Sequence, residues 1–231
     1  MSDITSIATI ILAGITQASL QLGLGGLILL YHNSMGKHKR RKTRFLAKNY
    51  IFGAASITFL MVCTFCFLIG NFFGGALNAE WLLVCIGIFA ASGSVMWLLY
   101  YRRGKKSAEL WLPKAFTRFI RKKARETNDN VEAFSLGLLS SFAEMPLSLA
   151  IYFIVANCIL QMHNGFWQIA AVAAYAALTV FPMVYLKLRV KTGRSAVDAQ
   201  KWRINNKAFS RIFSGSSFMI LAVFVLAFWV M

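Results

Sequence analysis

Long apolar stretches with little or no charge alternate with basic segments along the chain. Six of them are near or above the roughly 20 residues that a helix needs to cross about 30 Å of hydrocarbon. They are Ile4 to Tyr31, Tyr50 to Gly70, Trp81 to Tyr101, Ala133 to Leu160, Phe166 to Leu186 and Ile212 to Val230. All are too long for strands, and none alternates polar and apolar residues as a membrane barrel strand does. Because helices satisfy their own backbone hydrogen bonds in lipid, the pattern predicts an all-α, polytopic membrane protein with six transmembrane helices.

Positive charge is confined to alternate loops between these stretches. Lys and Arg number seven in His32 to Lys48, none in Asn71 to Glu80, ten in Arg102 to Glu132, none in Gln161 to Gly165 and eight in Lys187 to Arg211, which accounts for all 25. Basic loops are retained on the cytoplasmic side, so both termini and the two loops without Lys or Arg are expected outside. With 58% hydrophobic and 14% charged residues, the composition excludes an ordinary soluble enzyme.

The basic loops predict a lipid-facing surface. In the third loop Lys114, Arg118, Arg121 and Lys122 surround an apolar helical face, which is typical of an interfacial helix. Anionic lipids of the cytoplasmic leaflet stabilise such segments by about 1 kcal/mol per nearby cation. Topology and lipid binding therefore explain the net charge of +17, and no nucleic-acid partner is expected. Docking of a partner protein on these loops is the alternative.

The chain divides into two three-span halves, residues 1–125 and 126–231. An odd number of spans in each half makes the second half run in the opposite sense, which is the layout of an inverted repeat. An offset of 123 residues pairs Gly14 with Gly137 and Gln21 with Glu144. The same offset pairs Gly23 with Pro146, so that a polar side chain precedes a helix breaker in spans one and four.

These features resemble the six-span transporters of the LysE and CcdA superfamily. The resemblance is carried by the outside amino terminus, the three-plus-three layout, and the interruptions Gln21-Leu22-Gly23 and Glu144-Met145-Pro146. It implies an inverted-repeat transporter fold. The chain lacks the central cysteines of the CcdA pattern in spans one and four. It also lacks the paired acidic motifs of some cation-exporting relatives, so the resemblance implies no specific cation.

Glu144 alone among the eight acidic residues falls near the centre of a predicted helix. A carboxylate at mid-bilayer costs a few kcal/mol on insertion scales, so it should face a protein interior or a water-filled cavity. Ser140 and Ser141 lie one turn before it on the same face, and Pro146 frees backbone carbonyls nearby. The group is predicted to form a proton or cation site. The alternative is a protonated side chain that only donates an interhelical hydrogen bond.

Span one offers the facing half of this predicted site. Gln17 and Gln21 are spaced four apart on one helical face, and Gly23 follows them. Glycine there allows an unwound backbone or the close approach of another helix, and ordinary helix packing uses glycine for the same purpose.

The cysteines offer a weaker signal. Cys63-Thr64-Phe65-Cys66 has a redox or metal spacing, and His163 lies in an outer loop. Within an apolar helix a cysteine behaves as a small hydrophobe, so neither a metal nor another cofactor is expected. The sequence also contains no phosphate-binding loop and no nucleophile with a base, which argues against an enzyme.

Three functions remain open at this stage. The leading interpretation is a small secondary transporter or exporter of the bacterial inner membrane, with a midplane site between spans one and four that takes a small molecule or ion. Its basic loops would attract anionic or zwitterionic cargo, and Glu144 would couple transport to protons or cations. The alternatives are a non-catalytic membrane subunit packed against itself or a partner, and a thiol redox carrier that uses Cys63 and Cys66.

Overall fold

A computed structural model describes residues 3–20, 22–32, 40–75, 77–99, 119, 122–124, 127, 129–190, 198–199, 201–202 and 205–230 of the chain. These residues form helices and turns with no strand, which confirms the predicted all-α class. The helices are α1 (Asp3–Ala18), α2 (Leu22–His32), α3 (Arg40–Phe72), α4 (Ala79–Leu99), α5 (Asn130–Phe142), α6 (Met145–Leu160), α7 (Gly165–Arg189) and α8 (Lys207–Val225), and α8 continues as a π-helical turn over Leu226–Val230.

Three helical segments within the described residues are long and apolar enough to cross a membrane. They are Thr43–Phe72, Gly165–Arg189 and Ala208–Phe228, with mean hydropathies of 2.2, 2.0 and 1.9. The pair α5 and α6 adds a fourth if it is one broken span, and Ile4–Ala18 and Ala79–Val95 are shorter apolar helices. Apolar helices of this length are typical of a membrane protein.

The predicted fourth span is broken rather than continuous. The axes of α5 and α6 meet at 78° across Ala143 and Glu144. Pro146 lies in the first turn of α6. It has no backbone N–H to donate, so the hydrogen-bond ladder of α5 cannot continue through it. The ladder instead tightens, and the Glu144 N–H donates to the carbonyl of Ser141 at 3.1 Å. Glu144 therefore lies at a helix break, and not inside a continuous helix as the sequence had suggested.

The predicted first span is broken at the corresponding place. Helix α1 ends at Ala18, and α2 begins at Leu22. The Ser214 hydroxyl of α8 donates to the Ser19 carbonyl at 2.9 Å, which satisfies one of the acceptors that a helix end leaves open.

The helices alternate in direction along the chain. Where two helices touch at two points, the order of the contacting residues shows whether they run parallel or antiparallel. The contact pairs are Thr9–Cys158 and Gln17–Tyr152 for α1 with α6, Thr16–Ser217 and Ser19–Ser214 for α1 with α8, Thr58–Tyr152 and Cys66–Ala156 for α3 with α6, and Phe89–Phe218 and Gly93–Gly215 for α4 with α8. Between α1 and α7, Gly14 contacts Leu178, and Ile7 and Trp167 line the same cavity further toward the start of both helices. Relative to α1, α7 and α4 run the same way, whereas α3, α6 and α8 run the opposite way.

The buried apolar residues form two cores that meet at one level of the molecule. On α3 the change from one core to the other falls between Ala54 and Val62, and on α7 it falls between Tyr175 and Val180. In the two broken helices, α1 with α2 and α5 with α6, the change from one core to the other falls close to the helix break. The buried Glu144 lies at this same level, so a polar layer separates the two apolar cores.

Candidate functional site

Six polar side chains from five helices are buried together where the two cores meet. We call them the tyrosine cluster, and its members are Gln17, Tyr50, Ser140, Glu144, Tyr152 and Tyr175. Each is at most 6% exposed. Buried polar groups must be hydrogen-bonded to be tolerated, so their partners define the site.

Gln17 links two tyrosines in the first part of the cluster. The Tyr175 hydroxyl donates a short hydrogen bond to Oε1 of Gln17. The amide of Gln17 then donates through Nε2 to the Tyr152 hydroxyl at 2.8 Å. With its oxygen and its nitrogen both engaged, the amide has a fixed orientation, and the chain of donors runs from α7 through α1 to α6.

Tyr50 makes the equivalent contact in the second part of the cluster. Its hydroxyl donates to Oγ of Ser140 at 2.7 Å, and Ser140 in turn donates to the Gly137 carbonyl at 3.0 Å. The contact depends on glycine. Gly137 lies directly against the Tyr50 carbonyl, and Gly53 lies against the Phe134 carbonyl, so a side chain at either glycine would overlap backbone.

The two parts of the cluster occupy matching positions in the sequence. Ser140 follows Gln17 by 123 residues, the offset that also relates Gly137 to Gly14. Tyr175 follows Tyr50 by 125 residues. Each broken helix therefore receives a tyrosine hydroxyl from the long helix of the other half of the chain.

Glu144 lies between the two parts of the cluster. Its carboxylate is close enough to interact electrostatically with the hydroxyls of Tyr50, Tyr152 and Tyr175. It also occupies the N-cap position of α6, where the helix dipole favours negative charge. The break thus places a buried carboxyl group at the positive end of a helix dipole, within electrostatic range of three tyrosine hydroxyls.

A groove of about 570 Å³ approaches this cluster between α1 and α7. Its walls include Ile7, Ile10 and Trp167, and His163 lies at its mouth. At the inner end Leu178 packs against Gly14. Gln17 is one helical turn beyond that contact, so Leu178 separates the groove from the cluster.

The structure brings together part of the set that the sequence singled out. Gln17, Ser140 and Glu144 are in the cluster. Ser141 is buried and its carbonyl accepts the Glu144 N–H, whereas Pro146 is exposed and lies outside the cluster. The other two members, Gln21 and Gly23, are not placed in it: Gly23 is the second residue of α2, and Gln21 is outside the described residues.

The three tyrosines were missed by the sequence analysis. Tyr152 follows Glu144 by eight residues, which is about two helical turns, so its position on the same face was a usable signal. Tyr50 and Tyr175 carried no local signal, because they reach the cluster from helices that are distant in sequence. Tyr175, for example, is 158 residues from its partner Gln17.

The weaker candidates do not assemble into a site. Cys63 is an exposed free thiol and Cys66 a half-buried one. Among the described residues, no group of three or more His, Cys, Asp or Glu side chains could hold a metal ion, His163 included. Of the predicted lipid-contacting residues, Lys122 is exposed, and Lys114, Arg118 and Arg121 lie outside the described residues.

Comparison with protein-family models, curated proteins and solved structures finds no match to the chain.

Proposed function

We propose that the protein is a small secondary transporter of the bacterial inner membrane, with a substrate site between its first and fourth spans and coupling to protons or cations through Glu144. In this proposal six spans form two inverted halves, residues 1–125 and 126–231, and both termini lie outside. The observation that carries it is the tyrosine cluster, in which polar groups from both broken helices meet at one buried level. Substrate sites formed by broken helices at the interface of two repeats are typical of such transporters.

The alternating helix directions support six crossings. A chain that crosses a bilayer six times must reverse at each crossing, and α1, α3, α4, α6, α7 and α8 do run in alternate directions. Helix α1, with 16 residues, is short for a full span, and α2 follows it after a break. The distribution of Lys and Arg, 25 in three loops and none in the other two, supports the orientation.

Part of the pattern of helix contacts supports the inverted repeat, whereas the contacts of α1 with α8 and of α4 with α6 lack a counterpart among the described residues. A pseudo-two-fold axis would exchange α1 and α2 with α5 and α6, α3 with α7, and α4 with α8. Under this exchange the contact of α1 with α7 matches that of α3 with α5. Likewise the contact of α1 with α6 matches that of α2 with α5. The contact of α2 with α7 matches that of α3 with α6, and the contact of α2 with α3 matches that of α6 with α7. Helices α4 and α8, which the exchange would interchange, pack against each other where Gly93 meets Gly215.

The two equivalent helix crossings differ in how closely the backbones approach each other. This difference suggests how access to the substrate site alternates between the two sides of the membrane. In the crossing of α3 and α5, Gly53 and Gly137 allow backbones to touch. In the crossing of α1 and α7, Leu178 stands where the repeat has Gly53, and a groove remains open. In this proposal the arrangement is one state of the transport cycle, with the outer side accessible and the inner side closed. Rocking of the halves about the tyrosine cluster would produce the other state.

Flux across liposomes tests the proposal. Purified protein is reconstituted into vesicles that contain a pH-sensitive dye, and amines, amino acids and inorganic cations are added in turn across an imposed proton gradient. We expect at least one compound to move protons in wild type and none to do so in Glu144→Gln. The matched control is Glu80→Gln, because Glu80 is exposed and lies in a predicted outer loop. Absence of flux with every compound in wild type would leave the non-catalytic membrane subunit as the better account.

A further inference from the structure

The groove between α1 and α7 has the size and lining of a small-molecule site. Its volume of about 570 Å³ lies within the range of roughly 300–1,000 Å³ that is usual for such sites. Ile7, Ile10 and Ala174 line its length and Trp167 lies near its mouth. As far as the structure describes the groove, none of its lining residues is Lys, Arg, Asp or Glu.

The polar groups of the groove are at its outer end and are partly committed to the fold. Asn164 caps α7, since its side-chain oxygen accepts the Phe166 N–H at 2.9 Å. The interior of the groove therefore offers contacts to apolar surface and few hydrogen bonds. A ligand that enters it must carry an apolar part.

The tyrosine cluster offers the opposite chemistry one helical turn further in. Glu144 is the only acidic or basic residue among its six members. The rings of Tyr152 and Tyr175 lie edge to face with centroids 6.4 Å apart, and Phe65 stacks on Tyr152 at 5.7 Å. Aromatic faces beside a carboxylate attract cations, and organic ammonium groups in particular.

We infer that the transported molecule is a lipophilic organic cation, an amine or quaternary onium ion with apolar substituents, which enters through the groove and is held at Glu144 and the tyrosine rings. The inference rests on the proposed transport function for the fate of the molecule, but binding can be measured without transport. It replaces the expectation of anionic or zwitterionic cargo, because an anion would be repelled by Glu144.

Other ligand classes fit the two regions less well. An inorganic cation suits Glu144 but gains nothing from the apolar groove. A neutral apolar molecule suits the groove but has no charge for the Glu144 carboxyl and the tyrosine rings to attract. A cation with apolar substituents satisfies both regions, and exchange of this cation for a proton at Glu144 would couple its movement to the proton gradient.

Tetraphenylphosphonium and tetraphenylborate form a matched pair of probes, since they are similar in size and shape but opposite in charge. Binding of each to the purified protein in detergent is measured by isothermal titration calorimetry. We expect saturable binding of tetraphenylphosphonium and no saturable binding of tetraphenylborate. Glu144→Gln should raise the Kd for tetraphenylphosphonium by about tenfold or more, and Glu80→Gln should leave this Kd unchanged.

Three further variants test the groove and the rings. Ala174→Phe fills the groove, whereas Ala91→Phe adds the same side chain at an exposed position of α4. Tyr175→Leu removes one aromatic ring from the tyrosine cluster. We expect Ala174→Phe and Tyr175→Leu to weaken binding and Ala91→Phe to retain it.

Equal affinity for the two probes, or wild-type affinity in both Ala174→Phe and Glu144→Gln, would overturn the inference. Should Glu144→Gln fail to fold, the comparison of the two probes on wild type decides alone. Binding of the phosphonium without flux of any compound would refute transport and leave the cation site standing. Flux of another compound without phosphonium binding would refute the cation site alone.

Discussion

The contact of α3 with α5 makes a sharp prediction for Gly137→Ala. Gly137 lies inside α5, where alanine normally stabilises a helix by about 1 kcal/mol relative to glycine. The added methyl group would overlap the carbonyl of Tyr50, which belongs to the backbone of α3 and cannot rotate away. The two helices must therefore separate.

The expected magnitude follows from these two opposed effects. Overpacking of a tight contact costs about 1–3 kcal/mol, and the upper end applies because neither group is flexible. After the gain in helix propensity, the net loss in the free energy of unfolding is about 2 kcal/mol. For a chain of this length, such a loss lowers the melting temperature by about 4–8 °C.

Gly87→Ala is the matched control, since Gly87 lies in α4 and a Cβ there meets nothing within 4 Å. It should raise the melting temperature by about 2–4 °C. Both variants are measured with wild type by thermal unfolding in one detergent, followed by circular dichroism. If Gly137→Ala melts at or above wild type, the backbones of α3 and α5 do not touch, and the contrast between the two crossings fails.

Three other outcomes can be checked. Gln17→Leu should lower the free energy of unfolding by about 1–3 kcal/mol, because the buried Tyr175 hydroxyl loses its acceptor; thermal unfolding measures it, and an unchanged melting temperature would contradict the contact. Ser214→Ala should lower the free energy of unfolding by about 1 kcal/mol through loss of one hydrogen bond, and an unchanged melting temperature in the same assay would contradict this contact. A cysteine at Asn78 should react with an impermeant thiol reagent in intact cells and one at Lys122 should not; the reverse pattern would overturn the orientation.

The fold was predictable from sequence where the signal is local. The long apolar runs of α3 and α7 predict long helices, and Pro146 predicts an interruption close to the point where α5 ends and α6 begins. The 78° bend was not predictable, because a proline sets where a helix stops but tertiary packing sets the direction of the next one.

The candidate site was predictable only in part for a related reason. A buried carboxylate is conspicuous in an apolar stretch, and Glu144 was found on that basis. A tyrosine is not conspicuous, since its ring suits the same apolar run and its hydroxyl reveals a role only when a partner is known. The partners of Tyr50 and Tyr175 lie 90 and 158 residues away, a separation that no local pattern reports.

The exchange of tyrosines between halves also constrains how the protein is made. Gln17 leaves the ribosome 158 residues before Tyr175 does. Tyr50 likewise waits for Ser140, which is 90 residues downstream. Neither half can complete its own polar interior, so the first half must remain in the bilayer with an unfinished interior until the second half arrives. Folding is therefore completed in one late step, when the second half packs against the first. A chain truncated after residue 125 should be a substrate for membrane proteases.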